Sequence, residues 1–290
     1  MEKIKELSDL APLHNPANIA GIEAALHAFP KLSQVAIFDT AFHHTIPEKA
    51  FLYGLPYKLY EKQGIRRYGF HGSSHFFISQ QTPPLIGKPE ADYQIISAHL
   101  GNGCSVAAIK NGKSVDTSMG MTPLEGLIMG TRSGDIDPGL VFHLVDHLGY
   151  SLEQVNKLYN KESGLLGLSQ LSNDCRTLET AMSDGNGQAK LALDVFCYRI
   201  ARCIAALTAS LNRLDAVVFT GGIGENSPYV RKEVISNLRI FNLSINDNLN
   251  NQTTRGKSGV ISDSDSSRVL VIPTNEEWVI AQKTNKLLKS

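Results

Sequence analysis

The sequence predicts an α/β fold whose strands deliver glycine-rich turns to one edge of a sheet. Three observations carry that expectation. Short apolar runs at residues 35–38, 93–99 and 216–220 each lead into polar or glycine-rich sequence. Two of these ends are SAHLGNGCS (97–105) and VFTGGIGENS (218–227), and a stretch of helical period at 188–213 lies between them. Continuous apolar runs suit strands covered on both faces, and ligands of such folds collect at the carboxyl ends of the strands.

Taken in order, Asn15 and Pro16 open a helix as N-cap and first helical residue. Ile19, Ile22, Leu26 and Phe29 form its apolar stripe, and Pro30 ends it. VAIF at 35–38 reads as a buried strand carrying Asp39 at its carboxyl end. Ile95 and Ile96 lead into the first glycine loop, and the run from Ala216 to Thr220 leads into the second. In the intervening helix Leu191, Val195, Ile200, Ile204 and Leu207 are expected in the core. Residues 242–267 are rich in Asn, Ser and Asp and read as a surface excursion, after which VLVIP at 269–273 restores a buried strand. Thr274 and Glu277 have capping-box spacing for a terminal helix, which leaves Glu276 free for a ligand.

Composition narrows the function. The 290 residues carry 28 basic and 28 acidic side chains, without the basic excess of a polyanion binder, so nucleic acid is not an expected partner. No run is long enough to cross a bilayer, and the first five residues lack the apolar core of a signal peptide, so a cytoplasmic protein with no membrane partner is expected. Cys104, Cys175, Cys197 and Cys203 lack C-x-x-C spacing and are read as reduced thiols. His143 and His147 lack the glutamate of H-E-x-x-H and are read as one face of an amphipathic helix rather than a zinc site.

The two glycine loops point to a phosphorylated ligand held twice. Backbone without Cβ atoms can approach phosphate oxygens, and a helix opening beyond such a loop aims N–H groups at the anion. Neither loop is a dinucleotide fingerprint: Val106 and Ser227 occupy the third glycine position of G-x-G-x-x-G. Gly112-Lys113-Ser114 ends like a Walker loop, but Ala107 stands where the first glycine is required.

FDTAFHHTIP (38–47), RRYGFHGSSH (66–75), HLGNG (99–103), MGTRSGDIDP (129–138), SNDCR (172–176), TGGIGEN (220–226) and PTNEE (273–277), preceded by PLHNP (12–16), together resemble the acetate kinase family over nearly the whole chain. The resemblance implies the actin, sugar kinase and Hsp70 superfold (ribonuclease H-like), in which nucleotide and substrate meet between two α/β domains. It implies that residues 1–39, joined by a terminal helix at 278–290, represent part of the first domain, and that 40–277 form an essentially complete second, nucleotide-binding domain. The implied reaction is reversible phosphoryl transfer from ATP to acetate, giving acetyl phosphate and ADP, with Mg²⁺ or Mn²⁺.

By the same resemblance Asp39, His71 and Arg132 are the catalytic residues, with His75 supporting His71. Asp39 would organise the metal or the reacting carboxylate, and Glu276 would associate with the metal. His99, Leu100, Gly101, Asn102 and Gly103 form the second phosphate loop. Asp174, Cys175 and Arg176, with Gly222, Ile223, Gly224, Glu225 and Asn226, complete the nucleotide site. Leu13, His14, Phe70 and Pro123 line the substrate pocket. The bland reading of Arg132, an ion pair with Asp135 or Asp137, stays open at this point. A homodimer through the second domain is implied.

The chain departs from the family pattern in three respects. It contains neither the N-x-x-S-S-S-x-K phosphate loop of the first domain nor the arginine that contacts the substrate carboxylate, and Cys175 stands where many members have an aromatic residue. Three functional expectations follow: an acetate kinase, a propionate or other short-chain acid kinase, or a truncated nucleotide-binding remnant with impaired turnover.

Overall fold

Alternation along the apolar runs decides the architecture. In the computed structural model, which describes residues 1–6 and 15–289, six strands form one sheet: β1 (Gln94–Leu100), β2 (Cys104–Lys110), β3 (Lys113–Thr117), β4 (Ala216–Thr220), β5 (Gly259–Val260) and β6 (Arg268–Val271). Their order across the sheet is β3-β2-β1-β4-β6-β5. β1, β4 and β6 run parallel, while β2, β3 and β5 are antiparallel to their neighbours. Both outer strands are modest: β5 has two residues, and a register shift between Ala108 and Ile109 interrupts the pairing of β2 with β3.

Successive strand residues point to opposite faces, and both faces are covered. Ile96, Ala98, Val217 and Phe219 belong to a cluster with Phe196, Ile200 and Ile204 of the helix Gly187–Leu207. Ile95, Ala107, Val218 and Leu270 belong to a second cluster with Ile78 of the helix Gly72–Leu85. The result is a helix–sheet–helix sandwich in which the central strand β4 is buried throughout, as its unbroken apolar sequence requires.

The chain divides into two units. One comprises Met1–Phe38 and Glu277–Ser290; the other is Asp39–Glu276 and contains the whole sheet. Within the first, the helix Asn15–Ala28 begins at the predicted Asn-Pro pair and ends before Pro30. Lys5 and Glu23 form an exposed ion pair 2.8 Å long. The predicted strand at 35–38 does not form: these residues are irregular, with Phe38 55 % exposed. Four apolar residues satisfy the sequence pattern of a strand, but without a ladder partner the backbone hydrogen bonds that define one are not made.

Three further expectations need correction. Leu191 is 50 % exposed rather than core, because the 21-residue helix Gly187–Leu207 turns that position away from the sheet. Residues 242–267 are not merely a surface excursion; they hold the helix Asp247–Gln252, strand β5 and a bridge from Ile245 to Ser262. The first glycine loop opens a β-hairpin, β1 to β2, whereas only the second passes directly into a helix, Gly221–Asn226.

His143 and His147 lie at the helix Leu140–Asp146, which buries no residue, with ring centroids 5.1 Å apart. Among the described residues no group of three His, Cys, Asp or Glu could hold a metal. The four cysteines are free, and no helix among the described residues is long and apolar enough to cross a membrane.

Candidate active site

Parallel pairing of β1 with β4 sets His99 opposite Thr220, so the two glycine loops leave the sheet side by side. Gly221 makes this possible. Its φ is +76°, and a Cβ there would lie 2.8 Å from the carbonyl oxygen of Leu100, so a side chain would force the strand ends apart. Beyond the loops opens a cavity of about 540 Å³ lined by Gly101, Asn102, Asn173, Asp174, Cys175, Arg176, Glu179, Gly222, Ile223, Asn226 and Ser227. Its volume is that of a small-molecule site.

The structure thus brings together Gly101, Asn102, Asp174, Cys175, Arg176, Gly222, Ile223 and Asn226 of the predicted nucleotide residues. Leu100 and Gly224 are buried behind the cavity. Glu225 supports it: its carboxylate accepts from the N–H groups of Gly221, at 2.9 Å, and Thr274, at 3.0 Å, tying the β4 loop to the chain that follows β6. The sequence reading missed Glu179 and Ser227. Glu179 Oε1 accepts from the Ser227 hydroxyl at 2.5 Å and from Cys175 Sγ at 3.4 Å. Glu179 stands one turn beyond Cys175 on the helix Cys175–Ser183, an i, i+4 relation legible in the sequence.

Asp174 caps that helix, accepting from the N–H of Arg176 at 2.8 Å and of Thr177 at 3.4 Å. The Arg176 side chain bonded to it, together with these backbone donors, holds its carboxyl at about 2. Cys175 Sγ is buried, and burial pushes the thiol far up, so this is a neutral wall of the cavity. Asn102 ties two loops: its carbonyl accepts from Gly130 N at 3.1 Å, and its side-chain oxygen accepts from Asn173 Nδ2 at 3.1 Å.

The predicted catalytic residues gather beside the first loop. A Cβ built at Gly103 would lie 3.3 Å from His71 Nε2 and 3.6 Å from Arg132 Nη1, so glycine here keeps open the point where both side chains converge. Arg132 Nη1 donates to the Pro123 carbonyl at 3.1 Å. The alternative ion pair is not made: Asp135 accepts from Gly126 N and Asp137 from Gly139 N, and among the described residues no carboxylate pairs with Arg132. Burial lowers the Arg132 pKa, which is the cost of holding an unpaired guanidinium partly out of water.

His71 precedes the helix Gly72–Leu85 with φ 55° and ψ 29°, left-handed backbone that is uncommon for a residue with a side chain. Asp39 holds this geometry, its carboxylate accepting from His71 N at 2.6 Å and Ser73 N at 3.1 Å. His71 and His99 stack with ring centroids 4.2 Å apart. Burial, then the neighbouring Arg132, pulls the His71 pKa down to about 4; burial, then His71, pulls His99 to about 3. His75, fully buried, lies well below the usual histidine range.

Glu276 is the first residue of the helix Glu276–Lys289. Just before it, Thr274 Oγ1 donates to Ser74 Oγ at 2.8 Å. Burial and then the charge of Asp39 raise the Glu276 carboxyl. A carboxyl whose charge is disfavoured in this way fits a site completed by a cation. Of the residues expected to line the substrate pocket, Phe70 packs against the core and its carbonyl accepts from His43 Nε2 at 3.0 Å, while Pro123 carries the carbonyl bonded to Arg132. Leu13 and His14 lie outside the described residues.

Comparison with known proteins accords with this arrangement. The Acetokinase family matches residues 1–282. An acetate kinase of Shewanella oneidensis is 59 % identical over 285 residues, covering 98 % of this chain and 71 % of the relative. The crystal structure of Porphyromonas gingivalis acetate kinase superposes with a TM-score of 0.93 at 45 % identity, covering 99 % of this chain and 72 % of that one. A propionate kinase from Francisella tularensis gives 0.92 at 46 % identity, covering 97 % and 71 %. The sheet order, the paired glycine loops and these matches agree: the chain has the actin-like ATPase fold and belongs to the acetokinase family.

Proposed function

We propose that this chain catalyses reversible phosphoryl transfer between ATP and acetate, with Arg132 and His71 acting on the transferring group. The observation that carries the reading is their convergence on Gly103, with a guanidinium that no carboxylate among the described residues pairs with. An acetate oxygen attacks the γ-phosphorus as the bond to the ADP oxygen breaks, so a carboxylate and ATP become acetyl phosphate and ADP with no net proton transfer. The demand on the protein is positioning and charge stabilisation.

Arg132 supplies a planar cation suited to equatorial phosphoryl oxygens, and His71 supplies a ring nitrogen on the same side. The backbone of 99–103 and 222–226 cradles the phosphates, and Asp174, Cys175 and Arg176 bound the nucleoside end. Asp39 and Glu276 would hold Mg²⁺, or Mn²⁺, which when bound neutralises phosphate charge. Phe70 and Pro123 would shape the acyl pocket. A propionate kinase reading is favoured by the Francisella relative, because apolar walls separate one methylene by only about 1–3 kcal/mol.

The same reading takes 40–277 as the nucleotide-binding domain and 1–39 with 278–290 as part of the first. It takes the protein as a cytoplasmic homodimer associating through the second domain. The test is the initial rate of acyl phosphate formation with Mg-ATP and acetate or propionate, with Arg132→Ala as blank and ADP binding measured alongside. Turnover on acetate that Arg132→Ala abolishes, with ADP binding retained, supports the reading. Folded wild-type protein that binds ADP and makes no acyl phosphate overturns it.

A further inference from the structure

The face of the sheet that packs on the helix Gly72–Leu85 changes character toward the glycine loops: Ile95 gives way to Ser97 and then His99, and Ser105 of β2 lies opposite His99. Polar atoms placed there are out of reach of water and must satisfy one another. They do so in a chain. Ser97 Oγ lies 2.9 Å from His75 Nδ1; His75 Nε2 lies 2.8 Å from Ser105 Oγ; and Ser105 Oγ lies 2.9 Å from His71 Nδ1. Ser97, His75 and Ser105 are fully buried.

A heavy-atom chain of this kind permits several proton arrangements, and the buried donors discriminate among them. If Ser97 donates to His75 Nδ1, His75 donates from Nε2 to Ser105, and Ser105 donates to His71 Nδ1, every hydroxyl hydrogen has an acceptor. If the chain runs the other way, His71 donates from Nδ1 and the Ser97 hydroxyl is left without one. If both histidines donate to Ser105, the Ser105 hydroxyl is orphaned instead. Stranding a buried donor costs about 1–3 kcal/mol. A doubly protonated His71 meets the same obstacle, because it too must donate from Nδ1.

We propose that Ser97, His75 and Ser105 are positioning residues that fix His71 in the tautomer carrying its proton on Nε2, the atom that faces Gly103 and Arg132. The neighbouring ring repeats the device. Thr274 Oγ1 donates to Ser74 Oγ, which lies 2.8 Å from His99 Nδ1, leaving His99 Nε2, 3.8 Å from a Cβ built at Gly101, as the protonated nitrogen. The phosphate loop therefore meets two stacked neutral imidazoles that both present N–H, in addition to the cation of Arg132. A neutral ring of the opposite tautomer would present a lone pair to phosphoryl oxygen and repel it.

The tautomer assignment stands on the hydrogen-bond chain alone; its consequence for turnover rests on the phosphoryl-transfer reading. The test is ¹⁵N NMR of the full chain labelled at histidine at pH 7.5, with His71 and His75 signals identified by their loss in His71→Gln and His75→Gln. The expected spectrum shows a protonated Nε2 and an unprotonated Nδ1 in both rings. A proton on His71 Nδ1, alone or with Nε2, overturns the proposal. Ser105→Ala, verified as folded by circular dichroism, is expected to lower kcat about 10–100-fold, the usual scale for a group that orients a functional histidine, with the KM for ATP within about two-fold. Unchanged kcat in that variant overturns the positioning role. The expected spectrum in a wild-type protein without turnover would uphold the relay while sinking the kinase reading.

Discussion

Replacing Arg231 by methionine tests how the second glycine loop is held. Arg231 is wholly buried on the helix Pro228–Ser236. Its guanidinium donates to Asn250 Oδ1 at 2.7 Å, Gly224 O at 2.9 Å, Glu225 O at 3.0 Å, Asn250 O at 2.7 Å and Thr253 O at 3.1 Å. Among the described residues no carboxylate bonds to it, and burial, against the charge of Glu179, pulls its pKa down to about 10, so keeping the charge there costs about 3 kcal/mol. Five bonds to a charged donor at about 1.5–3 kcal/mol each outweigh that cost. Methionine fills most of the volume but strands the carbonyls. Partial relaxation and water entry reduce the loss to about 3–5 kcal/mol, the usual range for breaking a buried charged network.

At about 2–4 °C per kcal/mol for a domain of this size, the melting temperature should fall by about 6–20 °C. Two of the five acceptors belong to the loop 222–226, so ADP affinity measured below the melting range should also fall. Arg231→Lys keeps the charge but has three donors on a flexible stem, and should recover less than half of the lost stability. A methionine variant melting within about 3 °C of wild type, with unchanged ADP affinity, would refute the claim that this arginine braces the loop.

Stability should also fall with acid through the buried histidines. His43, fully buried between Ser114 Oγ at 2.8 Å and the Phe70 carbonyl, has its pKa pulled down to about 4 by burial. Its unfolded form takes up a proton near 6.5, so its contribution is complete above about 6.5 and is lost as the pH falls toward 4, at about 1.4 kcal/mol per pH unit. Urea midpoints at pH 7.5, 6 and 5 read this, and His43→Gln should flatten the slope by about one proton; an unchanged slope would count against it. Gly221→Ala combines positive φ with a Cβ 2.8 Å from a carbonyl oxygen and should cost about 2–4 kcal/mol in chemical denaturation. Glu276→Gln should raise the Mg²⁺ concentration for half-maximal turnover about ten-fold while leaving ADP affinity in EDTA unchanged; loss of both in parallel would assign Glu276 a purely structural role.

Much of this was legible in the sequence because the features that carry it are local. An apolar run ending in glycine names both a central strand and the loop at its end, and β1 and β4 appear where residues 93–99 and 216–220 placed them. Arg132 was legible as a functional candidate, but its freedom from Asp135 and Asp137 was not, since both acids are engaged by backbone N–H groups of turns that only folding creates. The strand expected at 35–38 failed because pairing is a long-range property. Arg231 and the serine–histidine chain escaped notice for the same reason: Ser97, His75 and Ser105 are separated by up to 30 positions and meet through strand register and helix packing. One signal was available. Serine and histidine alternating in the otherwise apolar β1 mark a buried polar face.

The outer strands bear on assembly. A sheet edge with many free N–H and C=O groups invites another chain to extend it, and through that route to filaments. Here one margin ends in the two residues of β5, and the other is kinked by the irregular pairing of β3, so neither offers a straight template. The fold therefore disfavours growth by continuing the ladder from copy to copy.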